Sequence, residues 1–206
     1  MTLYASTAQI KQALRIADAV DDALVSMAGS AASNLIDGYC QRTFGQTFGT
    51  RVYAPESPFI CQIDDLVQTD PVTVNLSTNL SGTYNVTIST ADYQLEPLNA
   101  RMDGMDWPAT RIRAVGGYLW GIGDWNFYFM ETPMKASVQV IGTFGWPAVP
   151  PAITQAAVIQ GARIYKRLDS PLGVAGFGDL GVMRVSRGLD PDVAMLVQPY
   201  VRERTA

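Results

Sequence analysis

The strongest constraint is a change of pattern that happens twice. Between residues 45 and 145 the chain carries short strand-like runs separated by Gly, Pro, Asn and Asp. On either side of that stretch apolar residues recur at three- and four-residue intervals, the period of a helix. A chain with this layout is expected to be α+β. The N- and C-terminal segments, 1–44 and 148–206, form a helical frame, and 45–147 is a β-rich insertion. Strand candidates are 51–53, 59–63, 72–76, 83–88, 93–95, 110–114 and 136–144. Their dense turns predict an antiparallel β-sandwich or small barrel. In the last of them Val138, Val140 and Gly142 alternate with Ser137, Gln139 and Ile141, so both its faces are expected to be covered.

The helical ends are well punctuated. Ser6 and Gln9 form a capping box before a short helix to about residue 16. Asp21 or Asp22 caps a longer helix to about residue 42, with Leu24, Met27, Ala31, Leu35 and Tyr39 at helical steps. The middle of that helix, 28–33, is built of Ala, Gly and Ser, which lets a second helix come close. Pro150 and Pro151 open a helix over 152–168, with Ile153, Ala157, Ile164 and Leu168 on one face and Arg163, Lys166 and Arg167 in its last turns. After the stop at Asp169, Ser170 and Pro171 comes a glycine-rich run, 172–181. Asp190, Pro191 and Asp192 then start a final helix through Tyr200.

Composition excludes several classes of function. Of the 206 residues 48% are hydrophobic and 17% charged, the balance of a folded protein with some surface meant for neighbours. The net charge of −4 argues against a general nucleic-acid binder. The start of the chain has no signal-peptide pattern, and no apolar run approaches a membrane span. Cys40 and Cys61 fall in different elements and are expected to be free thiols. With no histidine in the chain, Ser–His and Cys–His catalysis and the commonest metal ligand are all removed. Two cysteines make no zinc site, and the glycines of 172–181 follow a helix, not the strand that a dinucleotide loop requires. Asp64, Asp65 and Asp70, and Asp103 with Asp106, are the remaining candidates for metal or acid–base chemistry. Solvated turns account for them better. No cofactor and no catalysis are therefore expected.

Trp107, Tyr118, Trp120, Trp125, Phe127, Tyr128 and Phe129 crowd one glycine-rich stretch. They are either a β-core or an exposed aromatic face for a sugar or peptide. The second reading would make the chain a β-domain binding module using residues 107–129.

Six strings together carry a family resemblance: STAQIKQALRI (6–16), DDALVSMAGSAASNLIDGYCQRTF (21–44), ADYQLEPLN (91–99), GTFGWPAVPPAITQAAVIQGARIYKRLDSPLG (142–173), MRVSR (183–187) and LDPDVAMLVQPY (189–200). In combination the chain resembles the head–tail connector proteins of tailed bacteriophages, also called adaptor or head-completion proteins. The resemblance implies a virion structural protein, assembled in the host cytoplasm. Its subunits form a ring, commonly of about twelve, beneath the portal protein. Such a ring extends the DNA channel, without sequence-specific binding, and joins the capsid to a stopper or tail-completion protein. In this chain the docking segment is expected in the tail. There Val193, Leu196, Val197 and Tyr200 need an apolar surface, either the subunit's own core or the portal or a neighbouring subunit. Arg184, Arg187, Arg202 and Arg204 would face acidic groups on the partner, and Gly173, Gly176, Gly178 and Gly181 would act as the hinge.

Overall fold

The computed structural model describes residues 2–77, 83–99, 101–102, 104–115, 120, 137–167, 174–176, 182–184 and 188–202. The chain divides into two compact units, one made of residues 1–45 with 148–206, the other of 46–147. The first is mainly helical and the second an antiparallel sheet, so the fold is α+β.

The helical unit holds α1 (Thr7–Leu14), α2 (Asp22–Cys40), α3 (Pro151–Lys166) and α4 (Pro191–Val197), the last continuing into a 3-10 turn, Gln198–Tyr200. The Ser6–Gln9 capping box forms as the sequence indicates: Gln9 N–H donates to Ser6 Oγ, and Ser6 N–H to Gln9 Oε1. The ends of α1 and α2 fall short of their expected limits. Arg15 and Gln41 turn left-handed there, at φ 60° and 53°, without the glycine that would announce such a stop. Asp21 does occupy the N-cap position of α2, but its carboxylate makes no cap. It accepts from Tyr165 Oη at 2.8 Å and so ties the start of α2 to α3.

Three helices meet at Ile10, which is fully buried. A methyl group added at Gly29 of α2 would come within 2.9 Å of Ile10 Cδ1, and one at Gly161 of α3 within 3.0 Å of the same atom. Both helices thus dispense with a side chain where α1 inserts its isoleucine. The inward face of α2 is Val25, Ala28, Gly29, Ala32, Ser33, Ile36 and Cys40, one residue along from the series 24, 27, 31, 35 and 39. Further out, Tyr4 Oη donates to Asp37 Oδ1 (2.5 Å) and accepts from the Phe44 N–H (2.9 Å). Burial, then the Asp37 carboxylate, pushes that phenol's pKa up.

In the second unit seven strands form one antiparallel sheet: β1 (Thr47–Tyr53), β2 (Ile60–Leu66), β3 (Thr73–Leu76), β4 (Val86–Ile88), β5 (Tyr93–Glu96), β8 (Ala109–Ala114) and β9 (Val138–Phe144). A two-residue ribbon, β6 (Arg101–Met102) with β7 (Met105–Asp106), interrupts the series and had no sequence signal. Strand β9 is central, with β1 along one edge and β3, then β4, along the other. At Leu66–Phe144 it passes over to β2, which continues through β8 to β5. The sheet so curls as a half-barrel around one core, including Ile63, Leu66, Val74, Ile112, Trp120, Val140 and Phe144. Gly142 sits where a methyl would come within 3.1 Å of Leu66 Cδ1, close to that crossing. The expected sandwich or barrel is thus realised as a single sheet. Strand β9 is covered on its inner face and half-exposed on its outer one.

Glu96 on β5 receives both arginines of β8, Arg113 Nε at 2.6 Å and Arg111 Nε at 2.8 Å. The Arg113 hydrogen bond, against the opposing effect of burial, holds the Glu96 carboxyl below its usual pKa.

Two outcomes are expected. Gly29→Ala and Gly161→Ala should each change stability by no more than about 1 kcal/mol, because the helix gains propensity while Ile10 shifts one methyl. The double variant should lose more than the sum, since both methyls press on the same Cδ1, and Ile10→Val should relieve the excess. Urea unfolding of wild type and the four variants measures this, and additive losses would rule out the shared contact. For Glu96 the folded pKa lies below the unfolded one, so its contribution is complete above the unfolded value, about 4.3, and fades as pH falls through the depressed one. Glu96→Gln should therefore melt earlier than wild type at pH 7, with the gap closing as the pH is lowered below about 4. A gap independent of pH would show that the carboxylate charge is not what matters.

Candidate interaction surfaces

The tail is fixed to α3 before it reaches any partner. Asp190 caps α4 by accepting from Asp192 N–H at 2.7 Å, and its own N–H donates to Gln160 Oε1 at 3.2 Å. Its carboxylate also pairs with Arg163. Gln160 and Asp190 are both buried, so these bonds satisfy polar groups that would otherwise be stranded in the interior. Beyond it Val193 and Val197 are fully buried. Tyr200 is 3% exposed and lies edge-on to Phe44 at 5.9 Å between ring centres. Arg202 N–H donates to the Cys40 carbonyl at 2.9 Å.

Val193, Val197 and Tyr200 are thus packed in the helical unit's own core, the first of the two alternatives for the tail helix. Leu196 is half-buried, and Met195 on the same short helix is 77% exposed. Gly176 does not stand in an open hinge. It lies in a strand, β10 (Val174–Gly176), paired antiparallel with β11 (Val182–Arg184), Gly176 opposite Val182. The remaining members of the expected docking and hinge set, Arg187, Arg204, Gly173, Gly178 and Gly181, lie outside the described residues, as does the side chain of Arg184.

The described acidic residues Asp64 and Asp65 serve as partners within the sheet unit. Asp64 and Asp65 lie in a strand, not in the solvated turn expected of them. Asp64 takes Arg51 at 2.6 Å and the Tyr53 hydroxyl at 3.1 Å, whereas Asp65 is buried and accepts from Trp146 Nε1 at 3.0 Å. Among the described residues no cluster of His, Cys, Asp and Glu is arranged to hold a metal ion. Cys40 and Cys61 are free and buried, and burial pushes both thiols up to about 12. Of the aromatic cluster, Trp120 is fully buried and donates to the Phe59 and Ile112 carbonyls. Trp107 packs on Trp146 at 5.1 Å. Tyr118, Trp125, Phe127, Tyr128 and Phe129 lie outside the described residues.

Two surfaces stand open, one on the helix whose spacing the sequence had marked and one on the sheet. On α2, Leu24, Met27, Leu35 and Tyr39 are exposed by 43%, 69%, 43% and 38%, although helical spacing alone made them candidates for a packed face. On the sheet, Phe48 of β1 is 71% exposed and Val52 44%.

No known protein-family profile matches this chain, and no curated protein matches it. Solved structures do. A chain described as the neck of an empty GTA particle, computed with C6 symmetry, superposes with a TM-score of 0.58 at 17% identity, covering 100% of this chain and 95% of that one. A chain from the virion of a native gene transfer agent (GTA) particle gives a TM-score of 0.53 at 17% identity, covering 97% and 90%. At such identity the likeness is one of fold, and it runs the length of the chain through both units.

The tail's anchoring has a direct test. Arg163→Ala leaves the Asp190 carboxylate buried without its ion pair and should cost about 1–3 kcal/mol. Truncation after Pro171 should unfold the protein. It removes three buried side chains worth about 1.5–3 kcal/mol each, against a total stability of about 5–15 kcal/mol. Circular dichroism and thermal melting measure both effects; a truncated chain that melts like the full one would show that the tail is dispensable.

Proposed function

We infer that this chain is a structural protein of a phage-like particle, a head–tail connector whose copies form a ring beneath the portal. The observation that carries this reading is the whole-length likeness of fold to a chain of a particle neck. The sequence resemblance to phage connectors, which rests on other features, supports the same conclusion. In this role the ring extends the DNA channel from the portal and presents its far side to a stopper or tail-completion protein. The protein acts by fit and not by catalysis, consistent with a chain that has no histidine.

Charge suits a conduit. Residues 46–147 carry five basic and ten acidic side chains, a balance that repels the phosphate backbone and lets DNA pass without adhering. The basic side chains of the tail, Arg184, Arg187, Arg202 and Arg204, are the proposed rim contacts to acidic groups of the portal. The remaining glycines of 172–181 supply the adjustment that docking needs.

Mixing the protein with the portal of the same particle tests this. Negative-stain images and mass photometry should show a closed ring seated on the portal. The triple variant Arg184→Glu, Arg187→Glu, Arg204→Glu should remain folded and bind portal about tenfold or more weakly, as expected for the loss of several exposed ion pairs. Only monomer beside intact portal at micromolar concentration would overturn the connector reading. Unchanged affinity of the triple variant would move the docking surface elsewhere.

A further inference from the structure

The two open surfaces complement one another. One residue along a helix is about 100° around it. The buried series Val25, Ala28, Ala32, Ile36 therefore has the series Leu24, Met27, Ala31, Leu35 beside it, turned away from the unit's core. The helix is apolar over much more than the stripe its own unit uses, and 22–40 contains no basic residue. Its exposed series ends at Tyr39, whose hydroxyl bonds Gln198 Oε1 at 3.0 Å.

The outer face of the β1–β9–β3–β4 half-sheet is equally unusual. Strand register places three rows on it: Phe48 opposite Thr143; Thr50, Ile141 and Thr73; and Val52, Gln139, Asn75 and Thr87. None of these side chains is charged. In the last row Asn75 Nδ2 donates to Gln139 Oε1 (3.0 Å) and Thr87 Oγ1 to Asn75 Oδ1 (2.9 Å), so three of its polar side chains are bonded to one another before any partner covers them. The other half of the sheet is an internal contrast, since Arg111, Arg113 and Glu96 make it an ordinary charged surface. Depletion of charge with aromatic and Met enrichment marks the centre of an interface, and these two faces share that signature.

The geometry points to a second copy of this chain as the occupant: the exposed series of α2 in one copy packs on the uncharged sheet face of the next. From Leu24 to Tyr39 the helix offers about 22 Å of apolar ridge. Strand β1 spans about 20 Å, so a helix laid on the sheet meets a partner of matching length. Both faces lack charge, so neither demands a counter-ion that the other cannot supply. Because the two patches differ, the contact is heterologous, the type of contact from which closed rings are built. This inference rests on the ring reading above and names the surfaces that would build the ring.

Two exposed substitutions test it, Met27→Asp on the helix and Phe48→Asp on β1. Sedimentation velocity over a concentration series should show the wild type self-associating. Each variant should melt like wild type yet self-associate on the order of a hundredfold more weakly, because an unpaired charge is buried in the contact. Mixed together, the variants should form a 1:1 heterodimer and stop there, since each retains the one face that the other has lost. The docking inference is overturned if the wild type stays monomeric throughout, if either variant assembles like wild type, or if Phe48→Asp alone forms dimers through α2 against α2. None of these results alters whether a ring forms on the portal, which the portal mixture decides separately.

Discussion

The helical unit depends on one side chain in a space that two helices leave open. Ile10 occupies the gap between Gly29 and Gly161, and that gap exists because neither glycine carries a Cβ. The close approach of α2 and α3 determines which face of α2 is inward. It thereby fixes the position of everything later in the chain that rests on α3, including the Gln160 and Arg163 contacts that hold Asp190 and the tail helix. A packed interior transmits such a constraint because it has few voids to absorb a shift.

The same crossing explains why α2 has a second apolar face. The small side chains at 28, 29, 32 and 33 are consumed by the neighbouring helices, since only small residues allow that approach. The larger ones, Leu24, Met27 and Leu35, are left facing outward. A soluble subunit gains nothing from that arrangement by itself, and an assembling one gains a contact surface. The sheet unit shows a comparable division: one half presents Arg111 and Arg113, both paired to the buried Glu96, and the other the bonded Asn75, Gln139 and Thr87 beside Phe48 and Val52.

Such surfaces also bear on why the chain has so little charge. Charged side chains at 17% of the total leave wide areas of both units without them. Where charges do occur in pairs, as at Glu96 with Arg111 and Arg113 or Asp64 with Arg51, they lie on faces distinct from the uncharged rows.

The sequence by itself determined the four main helices and the strands of the large sheet, in their order, but not the short ribbons β6–β7 and β10–β11. The capping box at Ser6, the proline and aspartate signals at Pro151 and Asp190, and the turn residues between strands are local chemistry, acting within a few residues of where they are read. The α+β class follows from those signals alone. What only the tertiary structure decided is which side of each element faces inward. In α2 two apolar series run side by side at the same spacing, and periodicity cannot rank them; the glycine crossing with α3 does. In the tail, Val193, Val197 and Tyr200 looked equally suited to a partner or to their own core, and Phe44, more than a hundred residues earlier, settles that Tyr200 is interior. The curl of the sheet likewise hangs on Leu66 meeting Phe144, a contact between residues far apart in the chain. Burial depends on such distant neighbours, so local sequence could not reveal it.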